Sequence, residues 1–187
     1  MVWKGPSIFT KKCWLHFRQM IIRATPQLMT DWFQQLVDLL EDSVLNGASV
    51  GFLLPLGVGE IDAYWDGVHG DLEHRIVLLV IEDGQLQGSV QLELAKKANG
   101  RHRAEVQKLL VHSRARRQGL GRQLMSVAEQ EALAAGRTLL VLDTRVGDPA
   151  SKLYKSMNYQ FAGAIPGYVW SDDGQFAGTA IFYKNLP

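Results

Sequence analysis

The sequence predicts an α/β fold in which one mixed, mostly antiparallel sheet is flanked by helices. Three observations carry that class. Apolar runs at 76–81, 86–94 and 106–111 are separated by Asp83-Gly84 and Asn99-Gly100, both turn signals, so these strands form an antiparallel meander. From Gly121 onward, Leu124, Met125, Ala128, Ala132 and Leu133 recur at spacings of three and four, a helical stripe closed by Gly136. A further buried run, Thr138 to Asp143, follows that helix, and a helix crossover makes it parallel to 106–111.

The remaining elements follow in chain order. Residues 1–19 stand outside the pattern. Lys4, Lys11 and Lys12 resemble the basic end of a signal peptide, but neither an apolar run of the needed length nor a small-residue cleavage site follows. The segment therefore reads as a loose N-terminal extension, with Met20 a candidate start of translation and residues 20–187 the folded domain. Met20 to Ala24 reads as the first strand. From Pro26 to Asn46, Leu28, Trp32, Leu36, Leu39, Leu40 and Val44 share one stripe, with proline in the first turn and Gly47 past the end. An apolar loop reaches Gly59 and exposes Val50, Phe52, Leu53 and Leu54, which must be buried in the core or in a substrate pocket. A second helix, about Glu60 to Leu72, carries Ile61, Tyr64, Trp65 and Val68 on its inner side. Pro149 to Met157 is a short helix, with Asn158 at a left-handed C-cap. The tail closes with two strands joined at Asp173-Gly174.

Composition removes several function classes. A formal net charge of +1 over 187 residues gives no electrostatic case for nucleic acid or an anionic membrane as partner. Cys13 is the only cysteine, which excludes an intrachain disulfide and a cysteine-based zinc site and fits a reducing cytoplasm. No apolar run is long enough to span a bilayer.

The stretch Arg116-Arg117-Gln118-Gly119-Leu120-Gly121 delivers a strand into the N-terminus of the long helix. A glycine-bearing turn in that place leaves successive N–H groups unpaired and aimed at one point, where the helix dipole adds to them. This makes an anion site, most naturally for a pyrophosphate. A dinucleotide fold would need G-x-G-x-x-G, and a nucleoside-triphosphate site would need a lysine and a hydroxyl after the second glycine; neither is present.

The pattern Arg116-x-x-Gly119-x-Gly121 between strand and helix resembles the cofactor motif of the GNAT superfamily of N-acetyltransferases. The order of elements from Met20 to Leu186 matches that fold as well. The resemblance implies a splayed central parallel pair of strands and acetyl-CoA as co-substrate, with no metal. It places the pyrophosphate and the pantetheine arm on Leu109, Leu110, Val111, Arg116, Arg117, Gln118, Gly119, Leu120, Gly121, Arg122, Ser151 and Tyr154. The Leu109 N–H would polarise the thioester carbonyl, and Phe52, Tyr64 and Trp65 would line the acceptor pocket.

An amine attacking a thioester must first lose a proton, and the acyl oxygen gains charge as the tetrahedral intermediate forms. Glu105 is a candidate base, at the distance from Gly119 that the catalytic glutamate holds in the histone-acetyltransferase branch. Period-two alternation puts it on one face with Gln107 and Leu109. The alternative is an exposed strand glutamate paired with Arg101 or Arg103. Asp143, at the carboxyl edge of the parallel strand, is the second candidate base or else caps the following loop. Ala150-Ser151-Lys152-Leu153-Tyr154 resembles the superfamily element whose tyrosine lies beside the sulfur, so Tyr154 is the expected acid for the leaving thiolate. Asn158 replaces a glycine of that element, and Gly147 replaces an asparagine that often contacts the pantetheine.

A finer likeness is carried by Gly47-Ala48-Ser49-Val50-Gly51-Phe52, Arg103-Ala104-Glu105-Val106-Gln107-Lys108-Leu109, Gly119-Leu120-Gly121-Arg122-Gln123-Leu124-Met125, Leu142-Asp143-Thr144 and Pro166-Gly167-Tyr168. These segments resemble the tabtoxin-resistance acetyltransferase group. That likeness implies acetylation of a small-molecule amine, an amino-acid-like toxin or antibiotic, by a cytoplasmic monomer or homodimer. The alternatives are a non-catalytic acyl-CoA-binding module and an acetyltransferase acting on a protein amine.

Overall fold

The computed structural model describes residues 19–187, so the expected N-terminal extension, apart from Gln19, lies outside the described residues, Lys4, Lys11 and Lys12 with it. Seven strands form one sheet: β1 Met20–Arg23, β2 Arg75–Glu82, β3 Gln85–Leu94, β4 Arg103–Val111, β5 Leu139–Arg145, β6 Gln160–Trp170 and β7 Phe176–Asn185. Their spatial order is β1-β2-β3-β4-β5-β7-β6. Only the β4–β5 pair is parallel among these neighbours. The sheet is therefore the mixed, mostly antiparallel one that the meander and the single helix crossover imply.

The helix expected over 26–46 is two helices, α1 Pro26–Asp31 and α2 Phe33–Leu45. Trp32 departs from helical geometry, with φ −106° and ψ 8°, and is buried, so the chain turns there while the apolar stripe continues. The Thr25 hydroxyl caps α1 by accepting from the Leu28 amide at 3.2 Å. α3 Glu60–Gly70 lies with α2 on one face of the sheet, and α4 Leu120–Ala134 lies with α5 Ala150–Ser156 on the other.

Two apolar layers result. Leu36, Leu39, Leu40, Trp65, Val77 and Leu79 fill the first, and Leu78, Val90, Leu124, Met125, Leu140 and Phe182 fill the second. Strand β2 is buried on both faces, which is why residues 76–81 read as an uninterrupted apolar run.

Two irregularities in β4 shape everything that follows. Its parallel ladder to β5 consists of Arg103↔Leu139, Ala104↔Leu140 and Glu105↔Val141, and there it stops. Beyond Glu105 the strands part, leaving the β5-facing edge of β4 open. On its other side, Gln91 pairs with Gln107 but Ser89 pairs with Leu110, so β4 carries one extra residue, a β-bulge. Lys108 sits in it with φ +47°, a left-handed backbone that a lysine rarely adopts.

The bulge resets the alternation. Glu105 and Gln107 share the α2/α3 face as expected, but Leu109 does not join them. It packs with the α4-side core, and Leu110 turns to the α2/α3 side.

Candidate active site

The parting of β4 from β5 opens a cleft of about 730 Å³. Its walls are the end of α2 and the loop after it (Ser43, Asn46, Gly47, Ala48), the β4 edge, the turn into α4, and the start of α5. Leu109, Leu110, Val111, Arg116, Arg117, Gly119, Leu120, Gly121 and Arg122 all line it. Of the other positions expected on the cofactor, Leu153 stands at the wall where Ser151 and Tyr154 were anticipated, and Gln118 points to solvent outside the lining set.

The turn has the form an anion cradle needs. Arg117 at φ +62° and Gly119 at φ +82° both take left-handed backbone. The amides of residues 117 to 122 find no acceptor among the described residues. They stand at the N-terminus of a 15-residue helix, where the dipole is positive. Arg116 and Arg117 add cationic rim, although Arg116 is partly engaged by the Val111 carbonyl at 3.1 Å. The Arg122 guanidinium donates to the Ser156 hydroxyl at 2.6 Å, tying α4 to α5 at the cleft wall.

Two clamps that the sequence did not announce hold the cleft walls. Asp42 on α2 accepts from the Ser113 amide at 2.8 Å and hydroxyl at 2.6 Å, with His112 Nδ1 at 3.6 Å and Arg116 at 3.8 Å. Burial pushes this carboxyl up, but the Ser113 hydrogen bonds and the neighbouring cations outweigh it and hold Asp42 below the usual carboxylate range. His112 is moved down, chiefly by burial, against the pull of Asp42. Across the cleft, Arg145 donates to Asp148 at 2.9 Å and to the Gly47 carbonyl at 3.1 Å, strapping β5 to the loop after α2. The Ser113–Asp42 and Arg145–Gly47 partners lie 71 and 98 positions apart and leave no local pattern.

The two candidate bases lie on the α2/α3 side of the splay. Glu105 is exposed; it accepts from Gln107 at 2.9 Å and has no arginine partner among the described residues. Behind it runs a continuous polar network. Arg75 donates to Gln91 at 2.9 Å, to Gln107 at 2.7 Å and to Glu93 at 2.9 Å, and the Tyr64 hydroxyl donates to Gln91 at 3.0 Å. Asp143 accepts from the Thr179 hydroxyl on β7 at 2.8 Å, whereas the loop after β5 is served by Asp148.

Tyr154 lies on the opposite side, its ring 6.0 Å from those of Tyr159 and Phe182. Burial, reinforced by the charges of Asp143 and Asp148, pushes its hydroxyl up to about 12. The phenol therefore keeps its proton throughout the neutral range, and it makes no hydrogen bond among the described residues.

Of the aromatics expected at the acceptor, Phe52 and Tyr64 are half-buried and meet edge to face at 5.6 Å. Trp65 differs: it is fully buried, so its surface belongs to the core. Lys108, which strict alternation would place with the buried Ala104 and Val106 on the α4 side, instead leans over the Tyr64 ring at 5.2 Å.

Comparison with known proteins now decides the family, because the model of the acetyltransferase (GNAT) family matches residues 34–159, two thirds of the chain. The chain belongs to the GNAT family of N-acetyltransferases. An N-acetyltransferase of unassigned role from the hisH–hisA intergenic region of Azospirillum brasilense is 33% identical over 120 residues, covering 63% of this chain and 71% of that protein. Among solved structures, an N-acetyltransferase from Staphylococcus aureus Mu50 superposes with TM-score 0.76 at 20% identity, covering 90% of this chain and 99% of that one. The yncA structure from Salmonella typhimurium, described with its cofactor acetyl-CoA, gives TM-score 0.76 at 18% identity over 91% of this chain and 95% of that one.

This GNAT enzyme accordingly uses acetyl-CoA as donor. Among the described residues no helix is long and apolar enough to cross a membrane, and no group of three or more His, Cys, Asp or Glu side chains could hold a metal ion.

Proposed function

We propose that this enzyme transfers the acetyl group of acetyl-CoA directly to the primary amine of a small, amino-acid-like molecule, such as a toxin or antibiotic. The observation that carries the reading is the open β4 edge. It runs from the unpaired amides of the α4 turn, past Leu109, Leu110 and Val111, to two exposed carboxylates.

In this reading the amides of residues 117 to 122 bind the diphosphate, helped by Arg116 and Arg117. The free β4 edge orients the pantetheine arm, and the Leu109 N–H faces the thioester oxygen as charge develops there. Glu105 or Asp143 takes the proton from the acceptor amine, directly or through one water. Tyr154, kept protonated by burial, donates to the departing thiolate.

The acceptor class is supported by the walls on the α2/α3 side. Phe52 and Tyr64 form one wall, and the loop carrying Phe52 is pinned to the β6–β7 hairpin by Asp172, which accepts from the Leu54 amide at 2.9 Å. A pinned loop bearing an aromatic pair suits a small molecule held against apolar walls. The likeness of Gly47 to Phe52 and of Pro166-Gly167-Tyr168 to the tabtoxin-resistance group points the same way.

The test is release of free thiol from acetyl-CoA against a panel of amines, amino acids and β-lactam analogues. Saturable release with an amino-acid-like member supports the reading. Turnover with protein N-termini or lysines alone overturns the small-molecule assignment.

A further inference from the structure

Lys108 is the one described lysine on the splay, and its setting is unusual on three counts. Its backbone is held at φ +47° in the β4 bulge, a strained conformation that the surrounding strands impose. Its side chain is half-buried yet makes neither a hydrogen bond nor an ion pair among the described residues. Its ammonium lies over the Tyr64 ring at 5.2 Å, and a Cβ on Gly51 would stand 3.7 Å away. It also directly precedes Leu109 on the open edge.

The other lysines in the described part are placed differently. Lys96 is paired with Asp71 and Lys184 with Glu129, while Lys97, Lys152 and Lys155 are exposed.

An acceptor amine for a thioester needs a lone pair, freedom from ion pairing, and a base within reach. Burial, aided by the Arg75 charge, moves the Lys108 ammonium below its ordinary value, against the opposing pull of Asp143 and Glu105. Those two carboxylates are the proton acceptors of the reaction already proposed. Lys108 is thus free of ion pairing among the described residues and lies on the same side of the splay as both candidate proton acceptors.

We infer that Lys108 is a site of self-acetylation: when no acceptor amine is bound, its Nζ takes the acetyl group from acetyl-CoA held in the cleft. The inference rests on the proposed placement of the donor along the β4 edge. The free Nζ attacks the thioester carbonyl, a C–N bond forms, and the C–S bond breaks. The proton shed by nitrogen passes to Glu105 or Asp143 and the thiolate is protonated to free coenzyme A, so one acetyl-CoA gives one acetyl-lysine and one thiol. The product is a neutral acetamide lying over Tyr64. It removes the only described lysine charge from that side of the splay and narrows the space for an acceptor.

The test incubates the full-length protein with acetyl-CoA and no acceptor, then follows peptide masses over time. Calorimetry with coenzyme A runs in parallel. Acetylation at Lys108 is expected to be about tenfold or more faster than at Lys97, Lys152 and Lys155, because a held donor raises the effective concentration at one amine only. Gly119→Val should abolish that preference while leaving slow chemical acetylation of the exposed lysines. Addition of a competent acceptor should slow modification of Lys108. Lys108 staying unmodified, or reacting no faster than the exposed lysines while coenzyme A binds, overturns this inference alone. Failure to bind coenzyme A overturns the donor placement as well.

Discussion

Ser113 gives both its amide, at 2.8 Å, and its hydroxyl, at 2.6 Å, to the two carboxylate oxygens of Asp42. The residues lie 71 positions apart, and their bond joins the α2 wall of the cleft to the loop that leads into α4. Asp42→Ala removes both bonds and leaves the Ser113 amide with water alone. The expected cost is about 2 kcal/mol of stability, measured by denaturant unfolding, with weaker coenzyme A binding by calorimetry because Arg116 and the turn lose their support.

The same carboxyl sets a pH dependence. Asp42 is held below the ordinary value, so its stabilising effect is complete above about pH 4 and is lost as pH falls through the lower folded value. Comparing thermal midpoints of wild type and Asp42→Asn between neutral and strongly acid pH should show the two curves converging only at the acid end. Parallel curves throughout would remove Asp42 from the acid response.

Gly119 stands at φ +82° with nothing within 4 Å of where a Cβ would be. Space is therefore no obstacle to a side chain, and the backbone is. Gly119→Val forces a β-branched residue into left-handed geometry at a cost of about 1–3 kcal/mol, and relaxation of the turn would scatter the amides of residues 117 to 122. Coenzyme A affinity should fall well beyond what the stability loss explains, and affinity retained in calorimetry contradicts the cradle.

Glu105→Gln and Asp143→Asn keep side-chain size while removing the proton acceptor. Whichever residue serves as base should lose about 10²–10⁴-fold in kcat with coenzyme A affinity intact. The other should lose far less. Near wild-type kcat in both single variants would move proton removal elsewhere.

Tyr154→Phe deletes a hydroxyl with no partner among the described residues, so folding should be little affected. Slower release of thiol in single-turnover experiments is the expected effect. Since burial pushes that hydroxyl up to about 12, wild-type activity should show no loss attributable to its ionisation until strongly alkaline pH. A full-rate Phe variant would exclude Tyr154 from leaving-group protonation.

The sheet, its single parallel pair and the glycine turn into α4 were legible because each depends on local pattern. Alternation, the Asp83-Gly84 turn, the apolar stripe of α4 and the Arg116-x-x-Gly119-x-Gly121 spacing are short-range signals. The break of the first helix at Trp32 was hidden, since the apolar stripe runs through it unbroken. The bulge at Lys108 was hidden too: an extra residue in a strand becomes visible only when its partner's register is known. For the same reason Leu109 could not be put on its true face from periodicity. Trp65 read equally as core or pocket, and full burial in the packed α3 face settles it as core.

Strand β7 lies between β5 and β6, so the strand that follows in the chain fills a place beside one made earlier. A nascent polypeptide that has emerged only as far as Trp170 already contains the turn into α4 but offers β5 no neighbour on that side, and Thr179 is absent to hold Asp143. Of the two candidate bases, Glu105 is therefore complete in its strand pairing early in the chain, whereas the partner that holds Asp143 is supplied only by the last strand.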